Sequence, residues 1–370
     1  MYVVCSSEAL AKGILVVSRG VNRRTALPIL HNVLLTADPN YGLRLFSTDL
    51  ETTLIAYVDG EVKLPGTTTL PGDLLGEIGG TLGKGETSLK LNDKNYSVEI
   101  LAADIFAMTL NGISASEYPQ ISLPDSDKVL KIAKNELKSA LSQVVIATSS
   151  DESRPVLMSV EFSFAEGKMQ MVATDGHRLA LAIVNIEGDV AGLKNLLVPS
   201  RSLREVLRLL SGEGSCKIQI GKDGLQLFFV MDGIQIGVRL IDGTFPDYRR
   251  VIPDKHVSLI KLKAKEMESM VKTMALFTVG APLLKLNSNG QSLSLKAGSE
   301  EIGESVAALS CEIEGEEVSV TLNPRYLAES LAVMGGEIEM WINGALSPVL
   351  LKTAGVDRAT HVIMPVRTAS

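Results

Sequence analysis

No stretch of about 18 uninterrupted apolar residues occurs, although the mean hydropathy is +0.21, so no membrane-spanning helix is expected. A polybasic run or basic amphipathic anchor for a membrane surface is also missing. Residues 1–13 lack a basic segment followed by a long apolar core, which argues against a secretory leader. Cysteine is scarce, and Cys5, Cys216 and Cys311 are far apart. They spell neither a disulfide framework nor a zinc knuckle, so reduced thiols in the cytoplasm are expected. The four histidines, His31, His177, His256 and His361, are scattered without ligand spacing. There is no Walker A sequence, no GxGxxG after a strand, no HExxH and no GxSxG.

What is present is an ordinary globular composition, 45% apolar and 21% charged, in 370 residues. That length suits two or three domains. The net charge is −7, and it is unevenly spread. Residues 1–126 carry 9 basic and 14 acidic side chains, 127–256 carry 17 and 16, and 257–370 carry 10 and 13. A protein this acidic does not hold nucleic acid through a globally basic surface; it would need a concentrated basic stripe.

The chain repeats itself roughly every 125 residues. Amphipathic segments begin SSEALAKGILVVSRGV (6–21), KNELKSALSQVVIAT (134–148) and KEMESMVKTMALFTVG (265–280). Leu10, Leu15 and Val16 mark the apolar face of the first, and Leu137, Leu141 and Val145 that of the second. Segments with apolar residues at every second position follow each, as half-buried strands require. A second helix signature then returns as LPGDLLGEIGGTL (70–82), VPSRSLREVLRLL (198–210) and LNPRYLAESLAVM (322–334), each with a proline near its start. More strands close each unit. The expected fold is α+β: three copies of one unit, each with two helices on six to eight antiparallel strands, over 1–126, 127–255 and 256–370. Three unrelated α+β domains are the competing reading.

If the units join edge to edge, their helices line one side of a curved surface. Arg201, Arg204 and Arg208 fall on one helix face at i, i+3, i+7, and Lys131, Lys134 and Lys138 share that spacing. Lys12, Arg19, Lys265, Lys272 and Arg325 occupy equivalent segments. Together they suggest a sparse positive lining on a negative body, suited to holding phosphates without reading sequence. The helix at 70–82 breaks the trend with Asp73 and Glu77.

ATDGHRLA (173–180) offers Asp175 and His177 as a metal or acid–base pair. STDLE (47–51) occupies the same place in the first repeat, which points instead to a turn in which the aspartate caps its own loop.

The words ALPILHNVLL (26–35), VATDGHRLALA (172–182), TFPDYRRVIP (244–253) and HVIMPVR (361–367), with the threefold repeat, resemble the β subunit family of bacterial DNA polymerase III, the sliding clamps. The likeness covers essentially the whole chain. It implies a DNA-clamp fold in a head-to-tail homodimer, a six-unit ring around duplex DNA that tethers the polymerase and catalyses nothing itself. It implies partnership with the polymerase III alpha subunit, the clamp loader and other clamp-binding proteins, without cofactor or metal. It places a partner-peptide pocket at Leu157, Thr174, Gly176, His177, Arg178, Leu179, Pro246, Arg250, Val251, Val362, Met364, Pro365, Val366 and Arg367, with the arginines on its rim. DNA contacts fall on Lys12, Arg24, Arg201 and Arg208, to which Arg154 and Arg204 are added. At the dimer seam Phe106 and Met108 would face Leu276 and Phe277. Glu300, Glu301 and Glu304 are the candidate acids for ion pairing there, and because 98–108 has no basic residue, Lys90 and Lys94 are the cations to answer them. Thr368, Ala369 and Ser370 run past the matched Arg367. An enzyme built on Asp175 and His177, and a clamp-shaped scaffold that holds no DNA, are the competing functions.

Overall fold

A computed structural model describes residues 1–21, 25–103, 106–120, 123–124, 128–165, 167–221, 224–278, 280, 282–299 and 302–367. The first repeat runs β1 (Tyr2–Ser6), α1 (Ser7–Val17), β2 (Asn32–Asp38), β3 (Gly42–Thr48), β4 (Thr52–Val58), β5 (Gly60–Leu64), β6 (Gly66–Pro71), α2 (Gly72–Thr81), β7 (Glu86–Asn92), β8 (Ser97–Ala102) and β9 (Phe106–Asn111). The order returns as β10 (Val129–Ala133), α3 (Lys134–Val144), β11 (Ser159–Ala165), β12 (Lys168–Thr174), β13 (Arg178–Asn185), β14 (Leu196–Pro199), α4 (Ser200–Leu209), β15 (Ser215–Ile220), β16 (Gln226–Met231) and β17 (Ile234–Arg239). It returns again as β18 (Ser258–Lys263), α5 (Ala264–Ala275), β19 (Leu284–Asn289), β20 (Ser292–Ser299), β21 (Gly303–Ser310), β22 (Glu312–Gly315), β23 (Ser319–Leu322), α6 (Pro324–Met334), β24 (Glu337–Ile342), β25 (Val349–Thr353) and β26 (Val356–Ile363).

All six expected helices are present. Among the described residues the repeats hold nine, eight and nine strands, one more in the first and last than the sequence suggested. The additions are β5 and β22. Both are short and largely exposed, so neither carries the apolar alternation that announces a strand. Each pairs with the strand that enters the first helix of its repeat, β5 with β1 and β22 with β18. Among the described residues the middle repeat has an isolated bridge there, Lys131 with Glu187, in place of a strand.

The helices start where local chemistry stops a strand. The Ser6 hydroxyl caps α1 by accepting from the Ala9 amide. Asn323 caps α6 by accepting from the Arg325 amide at 2.9 Å, and Pro324 follows as a first helical residue that needs no N–H partner. In α2 the proline sits one place earlier: Pro71 itself holds the cap position and ends β6. On α1 the buried stripe is Leu10, Ile14 and Val17, at i, i+4, i+7; Leu15 is 51% exposed. On α3 Leu137 and Leu141 are buried as expected, and Val145 just beyond it is too.

The chain forms two compact units, and their boundary lies inside the middle repeat. One unit comprises Met1–Lys134, Glu187–Asp189 and Arg204–Leu240. Its sheets run β5-β1-β7-β8-β9 and β10-β15-β16-β17-β4-β3-β2-β6. Here β17 of the middle repeat pairs with β4 of the first, setting Ile236 against Leu54. Its core includes Val3, Leu10, Ile14, Leu35, Leu45, Leu89 and Ile100. The other unit comprises Asn135–Ile186, Val190–Leu203 and Ile241–Ser370, with sheets β14-β11-β12-β13-β26-β25-β24-β18-β22 and β21-β20-β19-β23. Here β13 pairs with β26, and the core gathers Ile260, Met267, Val271, Leu286, Leu327, Leu331 and Met340. Burying each such side chain contributes about 1.5–3 kcal/mol. No helix among the described residues is long and apolar enough to cross a membrane.

Candidate functional site

The β12–β13 connection is the word Thr174-Asp175-Gly176-His177. Asp175 Oδ1 accepts from the amides of His177 at 2.9 Å and Arg178 at 3.0 Å. The Thr174 hydroxyl donates to the Arg178 carbonyl at 2.6 Å and accepts from the Gly176 amide at 3.1 Å. Gly176 has φ +92°, a conformation that favours glycine. The first repeat builds the same turn from Thr48, Asp49 and Leu50: Asp49 Oδ1 accepts from the Glu51 and Thr52 amides, and Thr48 bonds to the Thr52 carbonyl and the Leu50 amide. Asp175 is therefore a turn device. Its second oxygen holds Arg178 Nε at 3.1 Å, so neither oxygen is kept for acid–base work.

Beside this turn lies a cavity of about 320 Å³ within the second unit. It is lined by Leu157, Thr174, Gly176, Arg178, Leu179, Pro246, Asp247, Tyr248, Val251, Val362 and Met364. Beneath it, Val172, Leu179, Leu197, Phe245, Tyr248, Leu350 and Val362 form a small core of their own. Nine positions proposed from the sequence thus converge, eight of them from three separated words and the ninth, Leu157, from outside them. His177 is exposed at the margin, where its carbonyl accepts from the Met364 amide at 2.8 Å. Arg250 points into solvent with Asp247 at 3.7 Å. Pro365, Val366 and Arg367 lie outside the lining, because the chain past Met364 turns to pair with β23 through the Val366 amide and the Thr321 carbonyl. Asp247 and Tyr248 were passed over in the sequence, though they sit within the word TFPDYRR between Pro246 and Arg250. Burial pushes the Tyr248 phenol up, and its hydroxyl accepts from Gln170 at 2.5 Å.

Arg178 does not serve as a free rim cation. It is buried, paired with Asp175 and Glu329, and stacked on the Tyr326 ring at 4.5 Å. Burial would raise the Glu329 carboxyl, but hydrogen bonds from Arg325 and Arg178 outweigh it and hold the group below its ordinary range. His361, one residue from Val362, is fully buried and hydrogen-bonds Gln143 Oε1 at 2.7 Å, while Gln143 Nε2 donates to the Val333 carbonyl at 2.6 Å. Burial first, and the Arg178 charge second, lower its pKa to about 3, so it is neutral.

The proposed basic residues divide. Lys12, Lys138, Arg201, Arg204 and Arg208 are exposed on their helices, and Arg154 is exposed beside Asp151. Arg208 pairs with Glu205, Lys272 with Glu268 and Arg325 with Glu329. Lys134 departs from the expectation: it is buried, its ammonium binding Asp232 and the carbonyls of Ser211 and Glu213. A lysine at the first turn reaches back past its helix, so heptad-like spacing misjudged its direction. Lys131 lies in β10, before the helix. Arg24 and the tail Thr368, Ala369 and Ser370 lie outside the described residues.

For the seam, Phe106 on β9 is 67% exposed and Leu276 just after α5 is 70% exposed. Met108 and Phe277 are half-buried against their own cores. Glu304 is paired with Lys296 of its own chain, and Glu300 and Glu301 lie outside the described residues. Each of β9 and β21 has one neighbour among the described strands.

Models of the N-terminal, central and C-terminal domains of the DNA polymerase III beta subunit match residues 1–122, 131–247 and 249–367. The chain is 30% identical to the beta sliding clamp of Synechococcus elongatus over 377 aligned positions, covering 100% of both. It superimposes on the crystal structure of the DNA polymerase sliding clamp from Bacillus subtilis with a TM-score of 0.93 at 26% identity, and on that of the DNA polymerase III subunit beta from Pseudomonas aeruginosa with 0.91 at 25%, each over 100% of both chains. Three domain matches in repeat order, and a relative similar from end to end, mean that the chain belongs to the DNA polymerase III beta subunit family, the beta sliding clamps.

Proposed function

We propose that two copies of this chain close into a ring around duplex DNA and act, without catalysis of their own, as the cytoplasmic processivity clamp of a replicative polymerase. The units of this ring are 1–126, 127–255 and 256–370. The observation that carries the reading is the threefold α+β repeat with β9 and β21 at sheet edges among the described strands. Strand pairing across two such edges hides them and, repeated head to tail, closes a ring. Phe106 and Met108 of one copy meet Leu276 and Phe277 of the other.

The grip is enclosure. Lys12, Arg24, Arg154, Arg201, Arg204 and Arg208 meet phosphates weakly, which suits sliding on a body of net charge −7. The cavity at Leu179 and Val362 takes the apolar end of a partner's peptide: the polymerase III alpha subunit, the clamp loader and other clamp-binding proteins. Tethering then works through effective concentration.

The test is retention after loading on nicked circular DNA, followed by linearisation. A clamp stays on the circle and leaves through the ends of the linear form. Equal retention on both would contradict enclosure.

A further inference from the structure

Arg178 is a cation in the wall of an apolar cavity, only 6% exposed. Its Nε lies 3.1 Å from Asp175 Oδ2, its Nη1 binds Glu329 Oε2, and its guanidinium rests on the Tyr326 ring. The other Glu329 oxygen accepts from Arg325 Nε at 2.8 Å. Asp175, Arg178, Glu329 and Arg325 thus form a chain of alternating charge that sums to zero. A permanently charged guanidinium is tolerated in such a wall only while it is paired.

We propose that Glu329 of α6 is the positioning residue that makes the cavity prefer an uncharged apolar peptide end, by neutralising Arg178 and holding its guanidinium back against Tyr326. The inference rests on the cavity being a peptide socket. With Glu329 uncharged, Arg178 and Arg325 share only Asp175, and a net positive charge stands beside the cavity. That charge attracts a carboxylate. The released side chain also swings into space that an apolar end needs.

The experiment measures binding of two labelled hexapeptide amides, identical except for a final leucine or a final glutamate, by fluorescence anisotropy. The intact chain binds the leucine-ended peptide more tightly. Glu329→Gln weakens that peptide and strengthens the glutamate-ended one, so their ratio falls about tenfold. Glu329→Asp keeps the charge and most of the preference. Arg325→Ala, an exposed change that leaves an excess negative charge, moves the ratio the other way. Equal weakening of both peptides by Glu329→Gln, or an unchanged ratio in Glu329→Gln and Arg325→Ala, overturns the proposal. Failure of the unaltered chain to bind either peptide overturns the socket reading itself, and is seen before any variant is compared.

Discussion

At the residue scale, the two Thr-Asp turns show what one side chain determines. Both use a threonine hydroxyl and an aspartate oxygen to satisfy the same amides, and both place the next residue at positive φ. At that position the middle repeat has Gly176 and the first has Leu50, with φ +74°. A left-handed conformation costs a residue with a Cβ about 1–2 kcal/mol. Leu50→Gly is therefore expected to raise thermal stability, and Gly176→Ala to lower it by about 1 kcal/mol and weaken peptide binding. Melting curves for both variants check the pair of signs.

His361 gives a pH prediction at the same scale. Its folded pKa, about 3, is below the ordinary 6.5, so between these values the unfolded chain binds the extra proton. Stability from the neutral ring is fully present above pH 6.5 and is lost as pH falls toward 3. The slope approaches about 1.4 kcal/mol per pH unit. His361→Gln should flatten that slope in denaturant titrations across the window. The depressed Glu329 carboxyl adds loss in the same direction below the ordinary carboxylate range.

At the element scale, α2 has four glycines, Gly72, Gly76, Gly79 and Gly80, a poor helical composition on propensity alone. Packing explains three of them. A Cβ on Gly72 would meet Val21 at 2.4 Å, one on Gly76 the Ser18 hydroxyl at 2.9 Å, and one on Gly79 the Ile14 methyl at 2.6 Å. Gly80 faces open space. Gly80→Ala should stabilise the protein by up to about 1 kcal/mol, whereas Gly79→Ala should destabilise it by about 1–3 kcal/mol through overpacking. Thermal unfolding distinguishes the two neighbouring substitutions. The helices were legible in the sequence because apolar period and capping words recur three times. β5 and β22 were not, because exposed edge strands have no buried face to enforce alternation.

At the scale of the whole molecule, exposed Leu276 sits where a second copy is proposed to dock. Leu276→Asp should halve the solution mass in light scattering and abolish retention on circular DNA, while leaving the melting of the single chain and peptide affinity unchanged. A dimer that survives this change would move the seam elsewhere. The cavity was partly legible: TDGH, FPDY and HVIM were recognisable words, and Leu179, Pro246 and Val362 do converge. The role of Arg178 was not. Its partners Glu329 and Tyr326 lie about 150 positions away, and no local pattern ties them to it.

The sequence alone determined the threefold repeat, the helix positions and the turn chemistry. These depend on neighbours a few residues apart, through hydrogen bonds to local amides and the periodicity of one buried face. Tertiary structure decided where the repeats fuse, with β17 on β4 and β13 on β26, so that compact units cut across the middle repeat. It also decided which cations are exposed: Lys134 is buried and paired with Asp232, and Arg178 is buried and paired with Glu329. Charge is long-ranged and pairs with whatever the fold brings near, so its fate is set only after the strands have chosen their partners.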